Sequence, residues 1–130
     1  MYNEKVLEIF ANPKNVGELE DANGIGLVGN QVCGDIMKLF LKINDDGIIE
    51  DASFKTFGCT AAIVSSSVAT ELIKGKTIEE ALNIENQEII DILGGLPNQK
   101  IHCSILAKEA IEEAIKDYNK KKEKNEKKKK

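Results

Sequence analysis

The chain has 130 residues, 42% of them hydrophobic and 31% charged, a size and balance that suit one soluble domain with a modest core. No run of about 18 apolar residues occurs, and the opening MYNEKVLEIF holds acids where a signal peptide would hold an apolar core, so no membrane span and a cytoplasmic, reducing compartment are expected. All 18 basic residues are lysines, eight of them in the last eleven positions, which leaves residues 1–119 with a net charge of −10; an acidic body without arginine argues against nucleic acid as its partner.

Residues 2–11 read as a first helix with Val6, Leu7 and Phe10 on its apolar side, stopped at Asn12-Pro13. After a loop, GIGLVG reads as a short strand whose glycines lower its propensity. In IMKLFLKI, Met37, Leu39, Leu41 and Ile43 share one face and Lys38 and Lys42 the other. NDDG, residues 44–47, is a turn, and IIEDASFKTF returns with Ile48, Ala52 and Phe54 as its inner face, a pattern that Glu50 interrupts. A helix is expected over residues 61–74, rich in small residues and closed by Gly75. TIEEALN opens on Thr77 and Glu80 at capping-box spacing, and NQEIIDILGG is a short helix ended by glycines. LPNQKIH is a loop. The last helix is expected from about Cys103 to Tyr118 and beyond, burying Ala107, Ala110, Ile111, Ala114, Ile115 and Tyr118.

Strands early and helices late predict an α+β fold: a small three-stranded antiparallel sheet with helices packed against it and a helical C-terminal half. No βαβ run, GxGxxG or GxxxxGK[ST] occurs, so nucleotide binding has no motif behind it. The domain is expected over residues 1–118. Residues 119–130 form a lysine-rich tail without an apolar stripe, expected to be frayed or disordered.

Three cysteines, an odd number in a reducing compartment, argue against a disulfide framework. Cys33 lies between the first two strands, Cys59 at a strand-to-helix junction and Cys103 at a helix start beside His102, the one histidine. Amide groups at a helix start favour thiolate. Gly34 and Gly58 flank the first two cysteines and would supply positive φ and close amides. Asp35 stands two residues beyond Cys33, on the same side of an extended backbone. The candidate ligands are thus Cys33, Asp35, Cys59, His102 and Cys103. Without a CxxC they match no zinc finger, and the fold would have to gather them from separate loops. Three thiolates with a carboxylate or imidazole suit tetrahedral zinc or the irons of a [2Fe–2S] cluster. A hard carboxylate in soft company would make an iron site exchangeable. A hydrolase is disfavoured, because adjacent His and Cys make a poor dyad and no second histidine exists. Buried structural cysteines and a helix-capping histidine are the competing uses of the same residues.

Four stretches, NPKNVG, CGDIMKL, TFGCTAAIVSSS and LPNQKIHCSILAKEAI, together closely resemble the U-type iron–sulfur cluster scaffold family, that of IscU and the N-terminal domain of NifU. The resemblance spans residues 1 to about 118. It implies that Cys33, Cys59 and Cys103 are the family's cysteines, that Asp35 is the aspartate whose replacement tends to trap the cluster, and that His102 is the histidine before the last cysteine. It further implies zinc in the resting protein and a transient [2Fe–2S] cluster built from Fe(II). A cysteine desulfurase would deliver persulfide sulfur to Cys103, an electron donor such as ferredoxin would act with it, and apoproteins would receive the cluster. Such a protein is an assembly scaffold and not itself an enzyme. Three departures stand out. LPNQK, residues 96–100, replaces the usual Leu-Pro-Pro-Val-Lys and speaks against a dedicated Hsp70-type chaperone. GNQVCGD lacks the proline common before the first cysteine. Thr60 follows Cys59 where glycine is usual. The alternative is a zinc-bound sulfur acceptor of the SufU type, but such proteins carry an insertion between the second and third motifs and arginine in place of His102. The chain also stops where NifU proteins would continue, so the scaffold module alone is expected.

Overall fold

The structure, a computed structural model, describes the backbone of residues 3–30, 34–96 and 101–128 and the side chains of 3–29, 34–96 and 105–122. The elements run α1 (Glu4–Ala11), β1 (Gly24–Asn30), β2 (Asp35–Ile43), β3 (Ile49–Phe57), α2 (Thr60–Ile73), α3 (Ile78–Leu82), α4 (Asn86–Ile92) and α5 (Ile101–Lys128). The strands form an antiparallel meander in the order β1-β2-β3, and the helices pack against it. This is the expected α+β architecture. Among the described residues no helix is long and apolar enough to cross a membrane.

The inner face of β2 is the alternation read from sequence: Met37, Leu39, Leu41 and Ile43 are all buried. β3 differs from expectation. Ile49, not Ile48, is buried with Ala52 and Phe54. The register explains this, because Lys42 faces Asp51 while Ile43 faces Ile49. Glu50 is therefore the extra residue of a β-bulge, and the inward phase changes across it. The hairpin turn closes through Asn44, whose Oδ1 accepts from Asp46 and Ile48 N–H, with Gly47 at φ +78°.

α1 also differs. Val6 is buried and Ile9 packs against the core, while Leu7 and Phe10 are 51% and 42% exposed. The three-residue spacing of Val6 and Ile9 selects the buried side in so short a helix. Asn3 caps it by accepting from Val6 N–H and donating to Leu93 and Gly95 carbonyls, which ties the N-terminus to the end of α4.

After α1 the chain runs beside the free edge of β3. Gly17 N–H donates to Phe54 O and Phe54 N–H to Asn15 O, both at 2.8 Å. Asn15 holds this position at φ +66° by donating to Thr70 Oγ1 and Glu71 Oε1 on α2. α2 ends at Ile73, with Lys74 as its C-cap before Gly75 at φ +82°, and α3 opens on the expected Thr77–Glu80 capping box. α4 ends at Gly94 and Gly95, both at positive φ.

α5 buries the predicted stripe and Leu106. It starts at Ile101, two residues earlier than expected. Its seat on the sheet depends on β1. A Cβ at Gly26 would lie 2.5 Å from Ala110 O and Ala114 N, and one at Gly24 would lie 2.7 Å from Ala114 O. The glycines that weaken β1 as a strand are what let the helix backbone rest on it.

Candidate functional site

Asp35 opens β2, and Cys59 stands between β3 and α2. Pairing of Ile36 with Phe57 brings these two ends of the hairpin side by side. Asp35 is only 3% exposed, and Cys59 is partly buried. The Cys59 amide donates to Asp35 Oδ1 at 3.1 Å, and the Cys59 thiol donates to Oδ2 at 3.3 Å. One carboxylate therefore holds both the backbone and the sulfur of one cysteine.

Cys59 is the N-cap of α2, with φ −78° and ψ 171°, and its own side chain makes no capping bond. In a capping box an acid three residues into the helix would accept from the N-cap amide. That position here is Ala62, so Asp35 fills the role from the neighbouring strand. The sulfur sits at the positive end of a fourteen-residue helix, a place that favours an anionic ligand atom.

The flanking glycines play different parts. Gly34 has φ +71°, the left-handed backbone expected of it. Gly58 does not adopt positive φ.

Of the remaining candidates, Cys33 lies outside the described residues. The backbone of His102 and Cys103 lies in the first turn of α5, with side chains outside the described set. Cys103 is the third residue of that helix and not its start. Among the described residues no three His, Cys, Asp or Glu side chains converge to hold a metal. Asp35 and Cys59 thus supply one oxygen and one sulfur, a mixed hard and soft pair suited to zinc or iron. On the outer face beside them, Ile36 is 49% and Phe57 80% exposed. A cavity of about 400 Å³ lies elsewhere, between α1 and α2, with Ile9, Val68 and Leu72 among its walls.

The family model for the NifU-like N terminal domain matches residues 1–125 of this chain. The chain belongs to the IscU/NifU family. An iron–sulfur cluster assembly scaffold protein, IscU 1 of Archaeoglobus fulgidus, is 58% identical over 118 residues, 91% of this chain and 76% of that one. The IscU scaffold protein of Escherichia coli K12 is 55% identical over 125 residues, 94% of this chain and 97% of that one. A solved structure from Fervidobacterium islandicum AW-1, assigned as a cluster assembly scaffold for the SUF system, superposes with a TM-score of 0.73 at 25% identity, covering 87% of this chain and 95% of that one. The IscU/NifU fold is thus the meander and helices described above, and the Asp35–Cys59 pair lies at one end of it.

Proposed function

We propose that this protein is a scaffold on which a labile [2Fe–2S] cluster is assembled and from which it passes to apoproteins. The observation that carries the reading is the Asp35 carboxylate on the Cys59 amide and thiol, in a chain that is 58% identical to an IscU scaffold protein. Cys33, Asp35, Cys59, His102 and Cys103 form the proposed ligand pool, and zinc occupies it in the resting protein. The two described members fit this use, since they offer thiolate and carboxylate within one hydrogen bond of each other.

Sulfur arrives as the outer atom of a persulfide on a cysteine desulfurase. The Cys103 thiolate attacks that atom, a new S–S bond forms on the scaffold, and the donor leaves as thiolate. Reducing the transferred sulfur to sulfide takes electrons. Ferrous iron supplies part of them as it becomes ferric, and a donor such as ferredoxin supplies the rest. Asp35 gives the cluster its exit. A carboxylate can leave iron without exposing a free thiol, and the Cys59 amide is in place to receive it back. The protein acts in the cytoplasm as a platform, and the covalent chemistry on free cysteine belongs to the desulfurase.

Anaerobic reconstitution with ferrous iron, cysteine and a desulfurase tests the reading. A brown protein with equal iron and acid-labile sulfide, able to load an apoferredoxin, is the expected result. A protein that accepts persulfide, keeps zinc and stays colourless would instead be a zinc-bound sulfur acceptor in a sulfur relay, the alternative reading.

A further inference from the structure

We infer that Gly58 is a positioning residue for the Asp35–Cys59 pair: its missing side chain is the space that the Asp35 carboxylate occupies. A Cβ at position 58 would stand 2.9 Å from Asp35 Cβ, 2.5 Å from Cγ, and closer still to Oδ1. Oδ1 is the atom that accepts from the Cys59 amide. Real Cβ atoms do not approach other heavy atoms so closely, so either the carboxylate or the backbone has to give way. Asp35 has little room to do so. It is nearly fully buried, it starts a strand paired on both sides, and its own Cβ is one of the atoms in the way.

The requirement is steric and specific to position 58. Gly58 does not sit in the left-handed region, so no positive φ calls for glycine there. By contrast Gly34, Gly47 and Gly75 have positive φ and, among the described residues, no atom within 4 Å of a built Cβ. A side chain at 58 would evict Asp35 from the Cys59 amide and separate the oxygen from the sulfur. Gly58 therefore sets whether the oxygen and sulfur ligands are gathered before metal arrives. This assignment rests on the scaffold reading for its purpose but not for its geometry.

The test is a double-mutant set: parent, Gly58→Ala, Asp35→Gly and the double variant, all as unloaded full chains. Amide hydrogen exchange at Cys59 is followed by NMR, and Co²⁺ affinity by its visible absorption. Gly58→Ala is expected to speed exchange of the Cys59 amide about tenfold or more and to weaken Co²⁺ binding by a similar factor. In the Asp35→Gly background the same substitution is expected to change neither, because the atoms it strikes are gone. If Gly58→Ala does not fold, the double variant is expected to recover folding. Unchanged amide exchange in Gly58→Ala, an equal effect in both backgrounds, or no recovery by the double variant would each overturn the assignment. Failure of the parent protein to build a cluster would sink the scaffold reading while leaving the amide result to stand or fall alone.

Discussion

At the scale of the residue, Asp35 has two duties that pull against each other. In the unloaded protein it satisfies the Cys59 amide and thiol. As a proposed ligand it would turn the same oxygens to metal. Asp35→Ala removes both, leaving a partly buried amide without its side-chain acceptor, at about 1 kcal/mol of stability. It also removes the one hard ligand of the pool. The cluster on this variant is expected to last longer in air and to pass to apoferredoxin several-fold more slowly. Transfer as fast as the parent's would end the argument that the carboxylate is the exit. Cys103→Ser should fail differently. Serine keeps the shape but cannot carry a persulfide, so mass spectrometry of trapped peptides should find no added sulfur on this variant while the desulfurase still releases sulfur to a small thiol. Undiminished persulfide on Cys33 or Cys59 would reassign the acceptor. Asp35 and Cys59 stood out as candidates in the sequence, because Cys, Asp and Gly at segment ends are chemically conspicuous. The link between Asp35 and Cys59 was not legible there. It depends on a strand register that pairs Ile36 with Phe57, and nothing local in CGD or FGC encodes that partner.

At the scale of the element, the same limit shows in reverse. β2 was readable because its alternation is unbroken. Glu50 flagged a disturbance in β3, but only the pairing identified it as a bulge that moves the inward position from Ile48 to Ile49. Glycines in β1 signal weakness to a propensity argument, whereas their packing makes them the seat of α5. Gly26→Ala is therefore expected to cost about 3 kcal/mol in urea unfolding, since its methyl meets helix backbone that cannot step aside. Gly29→Ala is the control: its nearest neighbour would be 3.6 Å away, and stability should stay within about 0.5 kcal/mol. A second tie between the same elements is a hydrogen bond to a carboxylate. Asp117 on α5 accepts from Ile25 N–H of β1 at 2.9 Å and pairs with Lys121. Burial pushes the Asp117 carboxyl up, but the bonds from Lys121 and Ile25 outweigh it and hold the group below its ordinary value of 3.8. Its contribution is thus whole above the unfolded value and is lost as pH falls through the lower, folded one. Asp117→Asn should be less stable than the parent by on the order of 0.5 kcal/mol at neutral pH, given solvent screening. Thermal melts should show that gap closing below pH 3.8 and flat above it. A gap that persists in acid would mean the charge is not what matters.

At the scale of the whole molecule, charge and packing divide at the same place. The α+β class follows from the order of the segments, and the core from two periodicities that agree with each other. Beyond Tyr118, the last buried residue of the α5 stripe, the described side chains 119–122 all face solvent. Lys121 nonetheless reaches back to Asp117 at 2.9 Å, so the boundary is not entirely clean. Eight lysines and two glutamates after Asn119 offset more than half of the −10 carried by the rest of the chain. We propose that this segment contributes solubility and screening and not folding or cluster assembly. Among the described residues, ending the chain after Asn119 removes no buried side chain and one exposed ion pair, Lys121–Asp117, which is worth at most about 0.5 kcal/mol. The melting temperature at physiological salt should fall by no more than a degree or two, about what so small a loss produces in a domain of this size. The rate of cluster assembly should not change. At low salt the loss should grow modestly, because the shortened chain carries more uncompensated negative charge and its self-repulsion is less screened. A collapse of assembly with the melting temperature intact would instead show that the lysines guide a partner. A large fall in melting temperature would show that the tail packs on the acidic body.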